Sequence, residues 1–127
     1  MADTFATNGT ITAVALDATF TSQWWAPGDR TPVSFHLFLD NTDSVGTIKI
    51  QGSNNPTDDT LSGLDQSFVE NGSEVTSISV TSGNDVNEGV LIPYAGFAAY
   101  RVVFTRTSGG ASNLLSCWTK AILVNGS

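Results

Sequence analysis

Phe97-Ala98-Ala99-Tyr100-Arg101-Val102-Val103-Phe104-Thr105-Arg106-Thr107, running into Ser108-Gly109-Gly110, is the stretch that decides the fold. Successive side chains of a strand point to opposite faces. Tyr100, Val102, Phe104 and Arg106 therefore share one face, and Phe97, Ala99, Arg101, Val103 and Thr105 share the other. No helical period fits this spacing. The pattern predicts one long β-strand, a glycine turn and a second strand over residues 112–124. Both faces carry apolar residues, so one is expected in a core and the other against a neighbouring subunit or a covering loop. Arg101 and Arg106 fall on opposite faces and cannot serve one site. Arg101 is expected to pair with an acid across an interface.

The same period recurs upstream. Val33, Phe35, Leu37 and Leu39 alternate with Ser34, His36, Phe38 and Asp40, the clearest strand in the chain. Asn41-Thr42-Asp43-Ser44 then turns, and residues 46–53 return with Ile48 and Ile50 inward and Lys49 and Gln51 outward, which reads as a hairpin. Residues 10–20 predict a long first strand with a bulge or register change. Residues 23–32 hold two prolines and a glycine and predict an ordered loop. Two shorter strands are expected at residues 66–70 and 74–81, and polar turn material at 82–89. Residues 90–94 read as a short apolar piece whose Pro93 suits an edge or a strand end. About eight strands, no amphipathic helix and no repeat predict a single antiparallel β-sandwich, jelly-roll-like or immunoglobulin-like. Residues 10–127 form that domain, and residues 1–9 are expected to be an arm that orders on a neighbouring subunit.

Composition narrows the function. The 127 residues suffice for one domain with its own core, and only 13% of them are charged, about half the usual share. Charges are depleted where surfaces are buried between subunits. That favours an assembly component over a freely diffusing enzyme, with an ordinary soluble β-domain as the plainer alternative. The net charge of −7 combines 12 acids with 5 scattered bases, so no footprint for a phosphate backbone exists and nucleic acid is not an expected partner. The N-terminus has neither a basic nor an apolar leader segment, and no apolar run has bilayer-spanning length. The expectation is a soluble chain made in a cytoplasm that meets no membrane.

No residue pattern demands catalysis. Cys117, the single cysteine, reads as a small buried hydrophobe; His36, the single histidine, is the only base that could activate it. Asp58-Asp59 could contribute to a calcium site, yet no calcium-loop spacing surrounds them. His36 has no second His or Cys at metal-ligand spacing. Asp40, Glu70 and Glu74 could be nominated as paired carboxylates, but nothing in the sequence selects them. No enzyme, cofactor or metal is expected. Aromatic residues are the better pointers. Trp24, Trp25 and Trp118 could stack on sugar rings if exposed; the plainer reading has at least one of them plugging an end of the sandwich. Phe38, on the polar face of its strand beside His36, suggests a protein contact surface. The interface candidates are thus His36, Phe38, Arg101, Trp24 and Trp25.

Three stretches together resemble small β-sandwich structural proteins of tailed bacteriophages. Gly46-Thr47-Ile48-Lys49-Ile50-Gln51-Gly52-Ser53-Asn54 resembles their strand running into an Asp/Asn-rich loop. Tyr100-Arg101-Val102-Val103-Phe104-Thr105, followed by Ser-Gly-Gly, resembles the aromatic-Arg-Val strand before their last hairpin, and residues 116–124 resemble their closing strand. The resemblance spans roughly residues 33–124. It implies a virion protein on the capsid surface, of the head decoration or cement type. Such a protein would sit as a homotrimer at local three-fold positions and bridge subunits of the major capsid protein. The alternative implied is a carbohydrate- or receptor-binding β-sandwich module of a phage tail, fibre or spike.

Overall fold

The computed structural model describes residues 11–15, 19–22, 24–26, 33–55, 63–70, 72–92, 97–109 and 113–121. The expected N-terminal arm, Asp58-Asp59 and Arg30 lie outside these residues. Eleven strands are described: β1 (Ile11–Ala15), β2 (Phe20–Thr21), β3 (Val33–Leu39), β4 (Val45–Ser53), β5 (Leu64–Asp65), β6 (Phe68–Glu70), β7 (Ser73–Val75), β8 (Ile78–Val80), β9 (Val86–Ile92), β10 (Ala99–Ser108) and β11 (Leu114–Ala121). Among the described residues no helix forms.

The strands make two antiparallel sheets. One has six strands in the order β1-β11-β3-β9-β6-β7; the other has the order β2-β10-β4-β5, with β8 also on the free edge of β4. The pairings are nested. β1 pairs with β11, β2 with β10, β3 with β9 and β4 with β8. The chain therefore behaves as one long hairpin folded over on itself, with β5, β6 and β7 inserted near its tip. That nesting is the jelly-roll arrangement of a β-sandwich.

Alternation places the core between the sheets. Val33, Phe35, Leu37 and Leu39 of β3 face Ile48 and Ile50 of β4 and Tyr100, Val102 and Phe104 of β10, all at most 2% exposed. Leu115 and Cys117 of β11 and Val86, Val90 and Ile92 of β9 complete this layer. Trp25 closes one end, edge-on to Phe35 at 5.8 Å and bridged through its backbone to Tyr100. Gly46, opposite Arg106 on β4, leaves the space that the Phe104 ring fills: a Cβ there would meet that ring at 2.7 Å.

Four expectations are corrected. Ile11–Ala15 and Phe20–Thr21 are separate strands in different sheets rather than one, although the expected register change does fall between Ile11 and Val14. β3 and β4 are not a hairpin: β3 pairs with β11 and β9, and β4 with β10, β5 and β8. Each strand has one apolar face to bury, and facing each other across the core buries both. Finally, the polar segment 82–89 already contains the start of β9 at Val86, and residues 74–81 divide into β7 and β8 in separate sheets. Alternation located strand faces but not the sheet to which each strand belongs.

The β3–β4 crossover is tied by a buried amide cluster. The Asn41 side chain donates to the carbonyls of Ser44, Thr81 and Asn84 at 3.1, 2.7 and 3.1 Å, while its oxygen accepts from Ser44 N at 2.8 Å. Asn113, just before β11, donates to Asn41 Oδ1, Asp43 Oδ1 and Ser44 Oγ at 3.1, 3.0 and 2.7 Å. Three sheet-changing connections, β3–β4, β8–β9 and β10–β11, meet in this cluster.

Candidate functional site

The outward side chains of β3, β9 and β11 form the most distinctive surface. Register sets their neighbours. Trp118 lies opposite His36, which lies opposite Gly89; one row along, Ser116, Phe38 and Asn87 are aligned in the same way. Inward residues of these strands fill the core, so period 2 forces their polar and aromatic alternates outward. Phe38 is 40% exposed and Trp118 is 45% exposed. The His36 and Trp118 rings lie 5.3 Å apart, tilted by 50°. His36 Nε2 and Asn87 Oδ1 are 2.8 Å apart, a hydrogen bond that fixes the imidazole against β9.

Beside this aromatic row the surface is hollow. A Cβ at Gly89 would meet nothing within 4 Å. An open depression of about 660 Å³ spreads over it, lined by Ser34, His36, Leu91 and Trp118 among others, and no described lining residue is an Asp, Glu, Lys or Arg. The geometry offers an aromatic wall, a flat glycine floor and polar side chains. Such a surface can stack on a partner group and hydrogen-bond its polar rim.

Of the sequence candidates, the structure brings His36 and Phe38 together on this face and adds Trp118. Trp24, Trp25 and Arg101 lie elsewhere. Trp24 and Trp25 are 5% and 8% exposed, so neither presents a ring for a sugar to stack on, and Trp25 plugs the sandwich as the plainer reading expected. Arg101 lies on the outer side of the five-stranded sheet with its guanidinium 4.3 Å from the Trp24 ring centroid. Its Nε donates to Gln51 Oε1 at 3.0 Å, Gln51 Nε2 donates to Asp65 Oδ1 at 2.9 Å, and Lys49 Nζ donates to Asp65 Oδ2 at 3.1 Å. Among the described residues, Arg101 thus meets a neutral amide and an indole face, and reaches an acid through Gln51. Burial lowers the Arg101 pKa, and the Gln51 hydrogen bond, helped by Lys49, holds Asp65 below the ordinary carboxyl range.

Cys117 faces the core, away from His36, and burial pushes its thiol up to about 12. Among the described residues no group of three or more His, Cys, Asp or Glu could hold a metal ion. Glu70 and Glu88 come together across β6 and β9; burial, and then the neighbouring Glu88 carboxylate, raise the Glu70 pKa. Gly89 was missed by sequence reasoning because it sits in a segment rich in turn formers. Trp118 was legible in part: Leu115 and Cys117 inward imply Ser116 and Trp118 outward. No known protein family matches the chain, and no curated protein or solved structure matches it.

Proposed function

We propose that this chain is a non-enzymatic structural protein of a phage virion, a head decoration module that docks on major capsid protein subunits and clamps the assembled shell. The observation that carries the reading is the outer face of the six-stranded sheet, where Phe38 and Trp118 stand half-exposed on a three-strand platform. Aromatic residues are enriched and charges depleted where proteins meet. Two of the three stretches that resemble phage structural proteins, on β4 and β10, pair along their length at the centre of the opposite sheet. Jelly rolls build viral capsid and lectin domains, a support by analogy of fold alone. A homotrimer would multiply weak contacts through effective concentration.

Co-sedimentation with capsids lacking the protein tests this reading. Wild-type chain is expected to pellet with capsids and raise their melting temperature, and Phe38→Asp is expected to abolish both effects. Undiminished capsid binding by Phe38→Asp, or none by wild type, counts against it. Light scattering checks the trimer. A second reading, a carbohydrate- or receptor-binding module of a tail, fibre or spike, draws on one observation: the hollow beside Trp118, with no charged side chain among its described lining residues.

A further inference from the structure

We propose that the hollow between Trp118 and Gly89 binds a single ring of a neutral sugar; this inference rests on the second reading of the same face. A pyranose is amphipathic, with a face of C–H groups and a rim of hydroxyls. Trp118 supplies an exposed indole for the C–H face, held in place by the His36 ring at 5.3 Å. His36, itself fixed through Asn87, and Ser34 line the positions that hydroxyls would reach. Gly89 is the floor. Any larger residue in that register position, directly opposite His36, would fill the volume the ring needs.

Charge selects the ligand class. The described lining has no acidic or basic side chain, and a chain of net charge −7 repels anions at long range. Neutral hexoses or N-acetylhexosamines are therefore favoured over uronic or sialic acids. A protein surface is a poorer match to the hollow itself. Open space over a glycine, ringed by hydroxyl, imidazole and indole groups, suits a small polar ring better than a packed apolar contact.

The test is a titration of neutral and anionic oligosaccharides, followed by tryptophan fluorescence and by amide chemical shifts. Trp24 and Trp25 are buried and Trp118 is exposed, so a change in emission reports mainly on Trp118. One or more neutral oligosaccharides are expected to bind with a Kd of about 1 mM, the range of weak single-ring contacts. Trp118→Ala should weaken binding by about tenfold, the upper range for one aromatic contact. Gly89→Val should abolish it while leaving the melting temperature unchanged or raised, because its Cβ meets open space and Val favours strands. Equal or tighter binding of anionic sugars, undiminished binding by a folded Trp118→Ala variant, or any binding retained by a folded Gly89→Val variant overturns the proposal. So does failure of every neutral sugar at 10 mM, about tenfold above the expected Kd. If that failure accompanies capsid binding that Phe38→Asp abolishes, the decoration reading stands and the sugar site does not.

Discussion

Replacing Asn41 with Ala should cost the fold about 4 kcal/mol. The magnitude follows from what the amide leaves behind. Ser44 is fully buried, and both its N–H and its carbonyl are hydrogen-bonded by the Asn41 side chain, at 2.8 and 3.1 Å. Orphaning a buried backbone group costs about 1–3 kcal/mol, so two of them cost about 4 kcal/mol. The other partners do not add to the sum. Thr81 and Asn84 are exposed and can turn to water, and Asn113 keeps Asp43 Oδ1 and Ser44 Oγ. For a domain of this size the loss lowers the melting temperature by roughly 12–16 °C, at about 3–4 °C per kcal/mol. Asn41→Asp separates the donor role from the acceptor role. The aspartate keeps the acceptor for Ser44 N but sets an anionic oxygen against the carbonyls of Ser44, Thr81 and Asn84. It should be at least as damaging as Ala at pH 7 and recover at acid pH, where the carboxyl is protonated. Urea unfolding across pH measures both. A loss under about 1 kcal/mol for Asn41→Ala, or an Asp variant milder than Ala at pH 7, would refute the argument.

Glu88→Gln should stabilise the protein at neutral pH. The raised Glu70 pKa means that the folded state binds its proton more tightly than the unfolded chain does. The destabilisation is therefore complete above the folded pKa and fades as pH falls, and the two proteins should converge below about 4.5 in matched urea melts. Cys117, buried and with its thiol pushed up to about 12, should resist alkylation at pH 8 in the native state and label only as the chain unfolds. Mass spectrometry at increasing urea checks this, and rapid labelling without denaturant would contradict it. Arg101→Lys should lower stability by about 1 kcal/mol, since an ammonium cannot both lie flat on Trp24 and reproduce the directed Nε bond to Gln51. Equal midpoints in urea would show that contact to be idle.

The strand faces were legible because burial follows period 2 wherever a strand is covered on one side. Val33 through Leu39 and Tyr100 through Phe104 read correctly residue by residue. Sheet membership was not, because the same alternation fits a hairpin and a crossover equally well. What distinguishes them at Asn41 is a set of partners, Thr81, Asn84 and Asn113, that lie 40 or more residues away. The candidate site was half visible for a related reason. Phe38 and His36 stood out on a well-patterned strand, whereas Gly89 gains meaning only from its register opposite His36. Trp24 misled because a Trp-Trp pair in a Pro/Gly-rich segment gives no parity from which to infer burial.

The position of β11 between β1 and β3 has a consequence for synthesis. β11, the last of the described strands, is an interior strand of the six-stranded sheet, and it carries Trp118. Until it arrives, β1 has no strand of that sheet beside it and the aromatic row on the outer face lacks its exposed indole. A chain cut short before residue 114 therefore lacks both the strand that joins β1 to β3 and the exposed indole beside His36.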